Sequence, residues 1–292
     1  HCISSAASDV YKRQGLGGLV VDVFNGKYVF RWLNTAIKQQ SKLIYAAFER
    51  IMGKGQTILA DLPGQEHLQL VSGDFGDQPA EILENGVTYP IDLTVGRQQL
   101  ALEFRDIRAW AKATSQQRRV LNLYSAETGL VTAAMIGGAI EAITVDPTNR
   151  ATTSIQAQLA ANNFDQAAVE MRTMDVANYL DYAIKHDLKF DTIFINPPAF
   201  IRGKKKSFTL EQDLQELIEQ ALKLTQPGSQ VVITTTTLMY SMKRLRDTIS
   251  DAMQNYTGHV TVSNTYLSPN DFLTNHADRH SEALKGVQLT VN

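Results

Sequence analysis

From Arg119 to the C-terminus, short apolar runs rich in valine and isoleucine alternate with stretches whose apolar residues recur at helical spacing. VLNLY (Val120 to Tyr124) precedes a helix through Thr132 to Gly138. AIEAITVD ends at Asp146, before a helix through Ala151 to Asn162. AAVEMRTMD ends at Asp175, with a helix from Val176 to His186, and FDTIFIN follows as the next strand. Leu214, Leu217, Ile218, Ala221 and Leu222 fall at i, i+3, i+4, i+7 and i+8, which predicts a helix that stops at Pro227-Gly228. SQVVITTTT then reads as a strand, Met239 to Gln254 as a helix, and His259 to Leu267 and Gly286 to Val291 as the last strands. Regular alternation of this kind predicts a parallel sheet with helices on both faces. Ligands of such sheets bind beyond the carboxyl ends of the strands, where the strand order reverses.

The pattern before Arg119 is different. Leu19 to Leu33 is two alternating runs about Asn25-Gly26, a strong hairpin signal. Thr35 is placed to cap a helix with Ile37, Leu43, Ile44, Ala47, Phe48 and Ile51 on its apolar face, and Gly53 ends it. Strands read at Thr57 to Ala60 and His67 to Val71, and a second hairpin turns at Asn85-Gly86. Residues 15–96 are therefore expected to form a small α+β domain. A connector over 97–118 carries LEFRDIRAWAKA, in which Leu102, Ile107 and Trp110 pack while Arg105, Asp106 and Arg108 face outward or toward a site. On pattern alone the solvated amphipathic helix is the simpler reading. Residues 119–292 make the α/β domain. Residues 1–14 (HCISSAASDVYKRQ) have neither periodicity nor a starting Met and read as a non-native tail, in which case the natural protein continues upstream.

Composition narrows the classes. The 292 residues are 43% apolar, ample for a core, and the formal net charge of -2 leaves no global basic field, so nucleic-acid contacts must come from local patches. A single cysteine, Cys2, excludes an internal disulfide framework. No apolar run has the roughly 18 to 20 residues that span a bilayer, and a reducing, cytoplasmic setting is expected. His276 and His280 lie four apart in the polar segment Ser268 to Glu282, read as a long loop; without carboxylates or cysteines in pattern around them, no metal site is expected.

Chemistry concentrates at the strand ends. FDTIFINPPAF (Phe190 to Phe200) is an apolar run stopped by two prolines, which stiffen the loop and remove two amide donors. Asn196 and the Pro197 carbonyl offer acceptors to a planar, amine-bearing ring, and Phe200 offers a stacking face for an extruded base. A rigid turn without chemistry is the competing reading. Ser125-Ala126-Glu127-Thr128-Gly129 turns from a strand into a helix and supplies one glycine, Gly129, for close cofactor approach. Asp146 is placed for the two hydroxyls of a ribose and Asp175 for an adenine amino group, with helix capping as the competing role of each. Neither GxxxxGK[ST] nor a full GxGxxG occurs, which favours a cofactor with ribose and adenine but no phosphate; S-adenosylmethionine meets that description. Arg202, Lys204, Lys205 and Lys206 form a basic loop just past the prolines, suited to the phosphates of an RNA strand.

Taken together, VLNLYSAETG, GGAIEAITVD, FDTIFINPPAF and YLSPNDFLTNHADRH…LKGVQLTV resemble the S-adenosylmethionine-dependent 23S rRNA methyltransferases. The resemblance is above all to the guanine-N7 methyltransferase half of the bifunctional large-subunit enzyme, and next to the cytosine-C5 methyltransferases. It implies a Rossmann-like α/β methyltransferase domain, a mostly parallel seven-stranded sheet, preceded by the small α+β domain. It also implies that Asn196, Pro197, Pro198 and Phe200 stand for the family's Asp-Pro-Pro-x-Phe loop, that Asp146 and Asp175 hold the cofactor, and that Arg105, with Glu103, lies by the cleft. Family members carry an upstream RNA-binding domain. The family's Ser-Tyr-Thr-Gly-Gly turn is Ser125 to Gly129 here, with the glycine one place late, and Thr235 stands where the cytosine-C5 enzymes need a cysteine. The expected activity is methyl transfer to a flipped base of large-subunit rRNA, at guanine N7. An exocyclic amine (guanine N2) is the alternative acceptor, and a non-catalytic RNA-binding module with a decayed cofactor site is the alternative class.

Overall fold

In the computed structural model, residues 18–32, 34–62, 67–74, 76, 80–93, 100–125, 127–202, 207–269, 272 and 284–292 are described. They fall into two compact units, one drawn from the chain up to Leu102 and one from Glu103–Ser268 with the C-terminal strand. The expectations for the tail 1–14, Cys2, His276 and His280, and Lys204, Lys205 and Lys206 lie outside the described residues.

In the first unit, β1 (Leu19–Phe24) and β2 (Lys27–Trp32) form the hairpin that Asn25-Gly26 predicts. Both turn residues have positive φ, 48° and 79°, which matches the twist of the paired strands. Helices α1 (Thr35–Gln39) and α2 (Ser41–Met52) then cross over to β3 (Thr57–Asp61), which runs parallel to β2, and β4 (Gln69–Ser72) closes the sheet in the order β1-β2-β3-β4. The single helix read from sequence is two. Asn34, not Thr35, caps the first, its Oδ1 accepting from the Ile37 amide at 2.9 Å, and Gln40 separates the pair. That break resets the helical phase: Ile44, Tyr45 and Phe48 pack on Val21, Phe30, Trp32 and Ile58, while Leu43 and Ile51 are 69% and 73% exposed. Asn85-Gly86 turns the second hairpin, β5 (Ala80–Glu84) with β6 (Val87–Ile91).

A 3-10 turn, Leu102–Phe104, leads into the second unit and its first helix, α3 (Arg105–Thr114). Then β7 (Arg119–Leu123), α4 (Gly129–Ile136), β8 (Glu141–Asp146), α5 (Arg150–Ala161), β9 (Val169–Thr173), α6 (Val176–Lys185) and β10 (Thr192–Ile195) alternate. After a short ribbon, β11 (Phe200–Ile201) with β12 (Phe208–Thr209), come α7 (Leu210–Leu222), β13 (Gln230–Thr235), α8 (Met242–Gln254), β14 (Val260–Leu267) and β15 (Lys285–Val291). The sheet order is β14-β15-β13-β10-β7-β8-β9, parallel except for β15, which pairs antiparallel with both neighbours. The order reverses between β7 and β10, so the crevice for ligands opens above those two strands.

Strand residues alternate between faces. Leu121, Leu123, Ile193, Ile195, Val231 and Ile233 join α6, α7 and α8 in one buried cluster, while Phe194 on the other face meets Trp110 of α3 edge-on at 6.2 Å. Ile193 is fully buried at the centre of that cluster. Ile193→Ala is expected to cost about 2 to 5 kcal/mol of unfolding free energy, read from the denaturant midpoint at unchanged slope.

Two helix boundaries differ from the sequence pattern. Helix α7 ends at Leu222, before Pro227, because Leu224 enters the core and its carbonyl accepts the Phe190 amide at 2.9 Å, tying the helix exit to the start of β10. Helix α8 starts at Met242, where Ser241 caps it by accepting from the Arg244 amide at 3.2 Å, and Met239 stands exposed before it.

Candidate active site

Hydrogen bonds stitch the carboxyl ends of four adjacent strands into one rim. Near the end of β13, the Thr234 hydroxyl lies 3.3 Å from the Ile195 carbonyl and 3.2 Å from Asn196 Oδ1. The Asn196 amide donates to Leu123 O of β7 at 3.2 Å, and the Tyr124 amide donates to Val145 O of β8 at 2.9 Å. The Ser125 amide donates to Asp146 Oδ2 at 3.0 Å. Ser125, Asp146 and Asn196, more than seventy residues apart at the extremes, thereby stand along one edge of the sheet.

Asp146 does not cap α5, which starts at Arg150. Its Oδ1 instead accepts from the amide and hydroxyl of Thr148, at 2.8 and 2.7 Å. A carboxylate has about four lone-pair sites; three are engaged, so a vicinal diol would take the remaining one and the place of the Thr148 hydroxyl. Asp175 does cap its helix: one carboxylate oxygen accepts from the Asn178 amide at 3.1 Å, and the residue is exposed at the α6 N-terminus.

Tyr124 is the residue that sequence reading missed. It leaves β7 with φ at 61°, a left-handed conformation uncommon for an aromatic residue, which turns its ring against Phe208 at 5.4 Å. Its phenol is held well above the ordinary tyrosine value, first by burial and then by Asp175, Asp146 and Asp213, so the three carboxylates lie within electrostatic reach of one group. A cavity of about 200 Å³ opens beside it, lined by Tyr124, Asp175, Ala177, Asp181, Phe208 and Asp213 among others.

The turn between β7 and α4 is more polar than its sequence suggests. Ser125 is buried, and its hydroxyl has no hydrogen-bond partner among the described residues. Such an orphan costs about 1 to 3 kcal/mol unless a bound group or water satisfies it. Gly129 is buried at the first position of α4, its amide donating to Glu127 Oε1 at 3.0 Å. Glu127 and Arg108 are each 1% exposed and face each other at 3.1 Å. Arg108 of α3 is thus a core residue: of the two readings of the connector arginines, outward or toward a site, the solvated one fails for it; Arg105 is partly exposed, 3.9 Å from Asp106. The mistake arose because an ion pair with a residue on another element leaves no mark in local periodicity.

On the other side of Asn196, Pro197 is buried and Phe200 is 58% exposed in the β11–β12 ribbon, where it pairs with Thr209. Ala199 O accepts from the Leu210 amide at 3.0 Å, anchoring the Pro-Pro loop to the start of α7. A second cavity, of about 370 Å³, is lined by Ala199, Thr209, Leu210, Thr237, Met239 and Tyr240 among others. Thr235 is fully buried with its hydroxyl accepting from the Thr237 amide at 3.1 Å, a structural role. Arg202 is exposed just past the ribbon strand. No helix among the described residues is long and apolar enough to cross a membrane.

A seven-stranded sheet with β15 alone reversed, and with acidic and amide groups along its carboxyl rim, defines a Rossmann-like methyltransferase. The chain belongs to the S-adenosylmethionine-dependent methyltransferase family, whose sequence pattern matches residues 65–249. Bacillus subtilis YwbD, provisionally named a ribosomal RNA large subunit methyltransferase, is 30% identical over 283 residues, covering 94% of this chain and 72% of that protein. Ribosomal RNA large subunit methyltransferase I of Erwinia tasmaniensis is 26% identical over 226 residues, covering 75% of this chain and 57% of its own length. The chain thus spans little more than half of the latter protein. Among solved structures, SMU.776, provisionally described as a methyltransferase and in complex with SAH, superposes with a TM-score of 0.88 at 26% identity, covering 97% of this chain and 73% of that one. The S-adenosylmethionine-dependent methyltransferase of Agrobacterium tumefaciens, 16% identical, shares the fold at a TM-score of 0.72.

Proposed function

We propose that the chain methylates a flipped base of large-subunit ribosomal RNA, at guanine N7. The observation that carries this reading is the convergence of Ser125, Asp146 and Asn196 on one rim, where the buried Ser125 hydroxyl has no partner among the described residues. The RNA substrate is supported by the names of the relatives in Bacillus subtilis and Erwinia tasmaniensis.

The site's chemistry suits the cofactor. Asp146 would hold its ribose, Asp175 its adenine side, and Ser125 and the Gly129 end of the turn its remaining polar groups, with Arg105 near the cleft. When bound, S-adenosylmethionine supplies an electrophilic methyl group on a sulfonium. The protein's part is alignment. Guanine N7 carries no proton, so no general base is required, and the rate gain comes from holding ring and donor in line. Asn196 Oδ1, turned by the Thr234 hydroxyl, and the Pro197 carbonyl would accept from the ring N–H and amine of the base. Phe200, exposed in the β11–β12 ribbon next to Ala199, which lines the 370 Å³ cavity, would stack on it. Arg202 and Lys204, Lys205 and Lys206 would contact phosphates, each adding salt dependence without sequence choice.

The buried Thr235 disfavours cytosine C5, which needs an attacking thiolate. Transfer to guanine N2 remains the second acceptor, since Asn196 and Pro197 can equally hold an exocyclic amine. The test is to incubate the protein with unmodified large-subunit rRNA and labelled cofactor, then identify the methylated nucleoside by mass spectrometry. 7-Methylguanosine is expected; N2-methylguanosine would move the acceptor, and no incorporation together with no S-adenosylhomocysteine binding at millimolar ligand would leave an RNA-binding module. Thr234→Val, which removes the hydroxyl that orients Asn196, is expected to lower kcat about 3- to 10-fold, consistent with one hydrogen bond of about 1 kcal/mol, at unchanged cofactor affinity.

A further inference from the structure

The turn Ser125–Gly129 is gripped from two sides at consecutive residues. Glu127 is held from α3: Arg108 Nη1 lies 3.1 Å from its Oε1, and that same oxygen accepts the Gly129 amide at 3.0 Å. Thr128 is held from α5, where Gln158 Nε2 donates to its hydroxyl at 2.8 Å and Ser154 Oγ lies 3.2 Å away. The Gln158 carbonyl in turn accepts from the Thr132 hydroxyl at 2.7 Å, so the α4–α5 side is a closed network. All of these side chains are buried.

Burying a guanidinium and a carboxylate together is a poor way to gain stability, because desolvation cancels most of the attraction; an apolar pair of similar volume is often as good. What the pair provides is geometry. Its carboxylate sits at the N-terminus of α4, where the helix dipole favours negative charge, and closes the turn on the Gly129 amide. With Glu127 and Thr128 fixed, the Ser125 amide is left to Asp146 and its buried hydroxyl is the group without a partner among the described residues.

We propose that Arg108 and Glu127 are positioning residues for the methyl donor: the buried pair holds the glycine-poor turn in the shape that receives the cofactor. This rests on the cofactor reading given above and adds two residues to it. Arg108 touches no reacting atom; it acts through Glu127 on the Gly129 amide and, by the turn's closure, on Ser125.

The experiment is calorimetric titration with S-adenosylhomocysteine of the full chain, the double variant Arg108→Met/Glu127→Leu, and Arg108→Lys. The double variant removes both charges without leaving one unpaired, and is expected to melt within a few degrees of the parent while its Kd rises about 10-fold or more. Arg108→Met/Glu127→Gln, which restores an acceptor for the Gly129 amide, is expected to recover most of that loss. Arg108→Lys keeps the charge with a differently shaped head and is expected to raise Kd several-fold, less than the double variant. Parent-like Kd values in the folded variants would overturn the proposal, as would failure of Arg108→Lys to fold, since the pair would then be a folding requirement. If the parent chain itself does not bind S-adenosylhomocysteine, it is the cofactor reading that falls.

Discussion

Asp146→Ala is expected to weaken S-adenosylhomocysteine binding about 100-fold, measured by calorimetry. The carboxylate would accept from ribose hydroxyls, and a hydrogen bond to a charged group contributes about 1.5 to 3 kcal/mol. A loss near 2.7 kcal/mol corresponds to that factor. The same carboxylate holds the Ser125 amide at 3.0 Å, so part of the loss comes from a loosened turn. Asp146→Asn separates the two contributions: it keeps an acceptor for Ser125 but replaces the other oxygen with a donor, and is expected to fall between parent and alanine variant. Equal affinity of all three proteins would remove Asp146 from the cofactor site.

Asn196→Ala is expected to lower kcat for RNA methylation about 100-fold while leaving cofactor affinity within about threefold. The reasoning is geometric, since a ring misplaced by about 1 Å loses on the order of that factor when alignment is the main source of rate. The Asn196 amide group that bonds Leu123 belongs to the backbone and survives the substitution, so the loop's attachment to β7 is preserved. The measurement is single-turnover methylation at saturating cofactor and RNA, beside a thermal melt of the variant. An unchanged rate would show that the base is held elsewhere. Tyr124 offers no competing proton acceptor, because a phenol is already protonated near neutral pH and burial with the nearby carboxylates raises its pKa further.

Much of this molecule is legible in its residues one stretch at a time. The two Asn-Gly hairpins need positive φ at both turn positions, which asparagine and glycine tolerate, so local chemistry alone placed them. The apolar alternation from Val120 onward placed β7, β8, β10 and β13, and the 3.6-residue spacing of Leu214, Leu217, Ile218, Ala221 and Leu222 placed the buried face of α7. Polar residues at the ends of those strands marked the rim, because there each strand leaves the apolar interior for solvent.

Sequence by itself determined the layered α/β class, the strand ends and their polar groups, since each follows from side-chain period and backbone preference within a few residues. Tertiary structure decided which of those groups meet. Arg108 reads as a solvated residue on an amphipathic helix, yet it lies buried against Glu127, nineteen residues on. Tyr124 reads as the last residue of a strand, yet its left-handed backbone sets its ring against Phe208, with three carboxylates within electrostatic reach of its phenol. A buried charge needs a partner that local spacing does not name, and a pairing between α3 and the β7–α4 turn exists only once the sheet has brought both to the same edge.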